Sequence, residues 1–240
     1  MLWLLILGIA ALAVLLTAVC CGVLDDLHVK PRPIAGRKRV ACVGDSITYG
    51  CLLPGQPWNS YPRRLGRLLG RGYCVGNFGY SNRTALKSAN HPYTAEKLYQ
   101  WSLDYQPDLV LLMLGSNDTK AANWDAAAYA RDLGELIDSY RGLESRPRVR
   151  LLLPPPAFPF RGKVLWDVRS EVLENELLPI CSRVAEEKGV PVIDIHAAFV
   201  GKPELFVDGC HPNAKAARTL ADVCCFHMRK HVKKNSITVF

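Results

Sequence analysis

Apolar positions in this chain fall into two kinds of run. One is a single unbroken stretch, Leu2–Leu24, without a charged residue, and long enough to cross a bilayer as a helix. The other kind recurs: short runs rich in leucine and valine at Arg39–Val43, Tyr73–Asn77, Asp108–Leu114, Val149–Leu153 and Pro191–Ile195, with longer segments of mixed character between them. The short runs predict strands. The longer segments predict helices over Tyr61–Leu69, Thr94–Asp104, Asp125–Tyr140, Val164–Lys188 and Ala214–Lys230, the last capped by Asn213. Strands as continuously apolar as Leu109–Leu114 are covered on both faces, and strand–helix alternation makes them parallel. The predicted fold is therefore α/β, a three-layer α/β/α sandwich around a five-stranded parallel sheet, preceded by one N-terminal transmembrane helix.

The 240 residues suit one globular domain. The pattern divides the chain into an apolar segment (1–24), a tether (25–37) kept extended by Pro31, Pro33 and Gly36, the domain itself (38–231) and a basic tail (232–240). Three readings compete for the apolar segment: a retained anchor, a cleaved secretory signal, and a buried helix of the domain. No Lys or Arg precedes it, and Cys20-Cys21-Gly22 is a poor cleavage site, which favours the anchor. The basic flank of Lys30, Arg32, Arg37, Lys38 and Arg39 argues for a cytosolic domain. One flank leaves the side of the membrane open, and a secreted or lumenal domain after cleavage is the alternative.

The formal charge is +8, but much of the excess lies in that flank and in Arg229–Lys234. Anionic lipid heads account for this distribution better than nucleic acid does. Of nine cysteines, two lie in the apolar run, and the other seven are odd in number and irregular in spacing, which argues against a disulfide framework. Without a CxxC pair no metal is assigned, and Cys224-Cys225 reads as partly buried or as a candidate for acylation.

Ligands of such sheets bind beyond the carboxyl ends of the strands, so chemistry is sought there. After the first strand comes Gly44-Asp45-Ser46-Ile47-Thr48; alone, this is ordinary turn and cap chemistry. After the second, Gly79 lacks a Cβ, so its N–H can approach a ligand closely. After the third, Asn117 carries two side-chain donors suited to a developing negative charge. Ahead of the last helix, Asp208 precedes His211 by three residues, so a carboxylate can hold one ring nitrogen while the other faces a nucleophile. Together these point to a Ser46–His211–Asp208 triad. Asp45, Asp118 and Asp194 read as loop-bracing acceptors, and His196 lacks the Asp-x-x-His arrangement.

The four blocks, in this order between about Arg39 and Cys225, resemble those of the SGNH (GDSL-type) serine hydrolases. The resemblance implies a flavodoxin-like, cofactor-free esterase with Ser46 as nucleophile, His211 as base and Asp208 orienting it. It also implies an oxyanion hole formed by the Ser46 N–H, the Gly79 N–H and the Asn117 side chain. Asn77–Ala85, Tyr61 and Leu151–Phe158 are more similar to the carbohydrate O-acetylesterase branch than to phospholipase-like members. A rim of Tyr80, Asn82, Arg83 and Trp58 suits a small-molecule or glycan ester, and short-chain deacylation leads. Phe158, Pro159 and Phe160 could instead line an acyl path for a membrane-surface lysophospholipase or thioesterase, and a catalytically inactive scaffold is the third reading. The sequons at Asn82 and Asn117 fall in the proposed site and are expected to stay unused. The ending Thr238-Val239-Phe240 resembles a PDZ-type ligand.

Overall fold

The computed structural model describes residues 28–235, the side chains of 230–235 excepted, together with helical positions 3, 6–8, 10, 11 and 14. Most of Leu2–Leu24 and all of Thr238–Phe240 lie outside the described residues, and with them the anchor and PDZ-type expectations. Among the described residues, no helix is long and apolar enough to cross a membrane.

Five strands form one parallel sheet: β1 (Lys38–Gly44), β2 (Tyr73–Gly79), β3 (Leu109–Met113), β4 (Arg148–Leu153) and β5 (Val192–Asp194). Their spatial order is β2-β1-β3-β4-β5. Alternate side chains of β1 enter opposite cores. Val40 and Cys42 pack with helices α3 (Tyr61–Leu69) and α9 (Ala214–Asn235). Ala41 and Val43 pack with α5 (Ala126–Arg141) and α7 (Leu178–Lys188) on the other face. The shorter elements are α1 (Ser46–Tyr49), α2 (Gln56–Asn59), α4 (Lys97–Asp104), α6 (Ser170–Val172) and α8 (Ile195–Phe199). Because β2 and β3 lie on opposite sides of β1, the loops leaving β1 and β3 part company and open a crevice at the strand ends.

Local signals placed most boundaries. The Asp125 carboxylate accepts the Ala128 N–H at 2.9 Å to start α5, and Asn213 accepts the N–H groups of Lys215 and Ala216 to start α9. Three expectations are corrected. The helix expected from Val164 begins at Ser170, because Trp166 (φ 65°) and Asp167 (φ 55°) are left-handed and Val168 and Arg169 are extended; a π-helical stretch, Leu173–Leu177, then leads into α7. Helix α9 runs to Asn235, so the basic tail begins as helix. Cys224 and Cys225 lie on α9 with their side chains buried, closed off from acylation, and all seven described cysteines are free.

The tether follows the edge strand. His28 packs against the rings of Tyr49 and Tyr80, with centroids 4.7 and 4.9 Å away. Lys30 pairs with Asp104 at 2.8 Å, Pro31 lies beside Gly76, and the Arg32 carbonyl accepts the Cys74 thiol. The chain thus descends β2 from its carboxyl end before turning into β1.

Candidate active site

Ser46 opens α1 where β1 ends. Asp45 caps that helix by accepting the Ile47 N–H at 2.9 Å. The turn is possible only with glycine before it, since a Cβ on Gly44 would sit 2.2 Å from Thr48 Oγ1 and 2.4 Å from the Met113 carbonyl. His211 reaches the same spot from the loop ahead of α9. Its Nε2 lies 3.0 Å from Ser46 Oγ, and its Nδ1 lies 2.7 Å from Asp208 Oδ2. With Nδ1–H donating to the carboxylate, Nε2 is the acceptor for the serine hydroxyl. All three side chains are more than nine-tenths buried.

The charges suit proton transfer. Burial pushes the Asp208 carboxyl up, but the hydrogen bond and charge of His211, with the backbone N–H groups of His211 and Cys210, outweigh it and hold the group well below the usual carboxylate range. Asp208 is therefore an anion at any ordinary pH. The other two acids of the blocks move the opposite way: burial raises Asp45 to about 6 and Asp118 to about 7. Both brace loops, Asp45 through Ile47 and Asp118 by accepting the N–H groups of Leu86 (2.8 Å) and Ala85 (3.2 Å).

A family model, the GDSL-like lipase/acylhydrolase family, matches residues 42–219, which is most of the chain and every block of this site. The chain belongs to that family. It is 34% identical over 212 residues to an acetylxylan esterase of Xylanibacter ruminicola, covering 80% of this chain and 43% of that protein. It is also 27% identical over 217 residues to a multidomain esterase of Ruminococcus flavefaciens, covering 75% and 27%. The chain thus spans less than half the length of these two relatives. Among solved structures, the native aryl esterase of M. smegmatis superposes with a TM-score of 0.66 at 24% identity, over 80% of this chain and 99% of that one. A carbohydrate acetylesterase from Sinorhizobium meliloti gives 0.64 at 22% over 81% and 99%. Fold and family are those of carboxylic ester hydrolases.

Around the GDSL-family serine, the three expected oxyanion donors differ in the partners they already have. The Ser46 N–H, in the first turn of α1, has no acceptor among the described residues. Asn117 gives one Nδ2 proton to the Arg83 carbonyl at 3.2 Å and keeps the other. The Gly79 N–H is spent on Asn77 Oδ1 at 2.9 Å. Glycine is required there because a Cβ would lie 2.2 Å from the Tyr49 nitrogen, so a neighbouring helix, and not a ligand, makes the close approach. On the same loop Asn82 has a φ of 65°, which turns its backbone over at the residue before Arg83, the carbonyl partner of Asn117. Among the described residues no acceptor takes the Asn82 N–H. An asparagine three residues beyond the end of β2 was the available signal for that turn, since asparagine tolerates the left-handed region better than other side chains.

The remaining rim residues separate. Arg83 stacks on Tyr80 at 3.5 Å and is engaged by Glu96 and the Ser81 carbonyl, bracing the loop. Trp58 stands exposed on α2. Asn82 borders an open cavity of about 580 Å³ lined by Asn90, His91, Lys120, Asn123, Asp167 and Arg169 among others. Burial depresses Lys120, which donates to Asn82 Oδ1. His196 bonds the Pro154 carbonyl at 3.3 Å, away from the triad. Among the described residues no cluster has the makings of a metal site.

Proposed function

We propose that this protein is a serine esterase that removes short acyl groups, acetyl foremost, from a carbohydrate-like alcohol. The observation that carries the reading is the unbroken hydrogen-bond chain from Ser46 Oγ through His211 to Asp208. Ser46 Oγ attacks the ester carbonyl carbon while His211 Nε2 takes its proton, and Asp208 stabilises the resulting imidazolium. The N–H groups of Ser46 and Asn82 with the Asn117 amide bind the tetrahedral oxyanion. Collapse returns the proton to the leaving alcohol, leaving an acyl-Ser46 ester, and a water deprotonated by His211 releases the carboxylic acid.

The polar lining of the cavity beside Asn82, with its carboxamides and His91, supports a hydroxylated leaving group. The acyl path imagined along Phe158 and Phe160 has little room. Phe158 packs on Phe206 at 5.2 Å, and Phe160 pairs with Lys163 in a tight antiparallel bridge. The resemblance to an acetylxylan esterase leans the same way. The deciding experiment compares the full chain with Ser46→Ala on p-nitrophenyl esters of increasing length. Acetate turnover lost in the variant is expected; preference for long chains would overturn the short-acyl clause, and no Ser46-dependent turnover on any ester would overturn the esterase.

Leu2–Leu24 supports a second element, a single-pass membrane anchor whose side stays open. This run is also what favours an alternative substrate, a lysophospholipid or acyl thioester presented at the bilayer. Fractionation of the full chain with membranes after alkaline carbonate washing tests the anchor; release into the soluble fraction would overturn it.

A further inference from the structure

The Asp208 carboxylate accepts four hydrogen bonds, and three come from its own turn. Oδ1 takes the backbone N–H groups of Cys210 (3.0 Å) and His211 (2.7 Å), and Oδ2 takes His211 Nδ1 (2.7 Å). The fourth donor arrives from elsewhere: Trp166 Nε1, 2.7 Å from Oδ2 and 42 residues earlier in the chain. The indole also stands edge-on to the His211 ring, with centroids 5.6 Å apart and planes at 81°. We propose that Trp166 is a positioning residue of the triad, its indole N–H fixing the rotation of the Asp208 carboxylate so that Oδ2 stays aimed at His211 Nδ1. The inference rests on the esterase reading above.

The backbone argues that this contact is selected. Trp166 and Asp167 both hold left-handed backbone angles, a strained conformation for a bulky side chain. Burial of the indole does not offset that strain, since the residue is 52% exposed. Val164 and Val168 pack on either side into the small core of Ala157, Leu173 and Cys210. Between these two anchors, the turn at Trp166 is what brings the indole over the triad. Without the N–H, Oδ2 has one directional donor in place of two, and the carboxylate is freer to swing as His211 gains and loses charge.

Two tryptophans of equal exposure make the test internal, Trp166 at 52% and Trp58 at 55%. In the ¹⁵N-tryptophan-labelled full chain, the Trp166 indole N–H should exchange with solvent at least about tenfold more slowly than that of Trp58. Equal rates would overturn the proposal. Trp166→Phe keeps a ring and removes the donor. It should lower kcat on p-nitrophenyl acetate about tenfold with KM within about twofold, and slow Ser46 labelling by a fluorophosphonate in parallel. Unchanged kcat and labelling would overturn the proposal, and so would a raised KM alone, which marks a substrate-stacking platform. Labelling that depends on Trp166 without ester turnover in the wild type would sink the esterase reading and leave the positioning role standing. No Ser46 labelling in the wild type would sink both.

Discussion

The two walls of the crevice are held by different means. On one side, the loop through Asn82 and the loop through Asn117 are tied by the buried bonds of Asp118 to Ala85 and Leu86 and by the part-buried bond of Asn117 to the Arg83 carbonyl, and Thr119 braces the second loop through the Ser116 carbonyl. On the other, Phe158–Val168 rests on a small apolar patch, the Phe158–Phe206 ring contact, the Phe158 N–H on the Gly209 carbonyl, a two-residue bridge and the Trp166 indole hydrogen bond. The first wall carries the proposed oxyanion donors, which must be preorganised to be worth anything in the transition state. The second borders the leaving-group cavity, where adaptability is useful, and meets the triad at the Trp166 indole. The fold has put its buried carboxylates where precision is needed and left the substrate side to a strained surface loop.

The contrast is broken most completely by removing what the rigid wall serves. Ser46→Ala should lower kcat by at least about 10⁴-fold while the melting temperature stays within about 2 °C, read by ester turnover and calorimetry. Asn117→Ala should cost about 100- to 1,000-fold in kcat with little change in KM. Gly79→Ala should act on folding instead: crowding the Tyr49 nitrogen is expected to cost about 1–3 kcal/mol of unfolding free energy, measured in urea, and a loss confined to kcat would return Gly79 to the oxyanion hole.

Asp118→Asn sharpens the comparison through pH. Its carboxyl is raised to about 7 in the folded protein from 3.8, so between these values the folded state holds a proton that the unfolded state has lost. Stability from this group is therefore present at low pH and declines as pH rises toward 7. Asparagine mimics the neutral acid but cannot accept both N–H groups. The variant should be about 1–2 kcal/mol less stable at pH 5, with the gap closing by pH 8. Asp208 has the opposite sign: its stabilisation is lost on acidification below 3.8. The smallest effect belongs to the second wall: Lys163→Ala, at an exposed bridge position, should change unfolding free energy by less than about 0.5 kcal/mol.

Strand runs, the cap at Asn213 and the helix Tyr61–Leu69 were legible in the sequence because each depends on local pattern or on burial on both faces. The triad was legible because its members stand at strand ends or three residues apart. Gly79 misled because a glycine says that something comes close, without saying what. Asn82 enters the proposed oxyanion hole through its backbone N–H, which a reading of side chains passes over. Trp166 was hidden inside Val164–Lys188, whose spacing reads as one helix. Only the tertiary contact with an acid 42 residues away makes its left-handed turn intelligible.

If Leu2–Leu24 is the anchor proposed above, the path of residues 28–37 sets a working height. His28 lies against Tyr49 and Tyr80, at the catalytic end of the sheet. From Leu24 to His28 there are four residue steps, at most about 14 Å of chain. A domain held by Leu2–Leu24 would carry its mouth like a stylus on a short arm, close over the surface that holds it. Its reach would then be fixed by the length of the leash, and the esters within that gap would be its substrates.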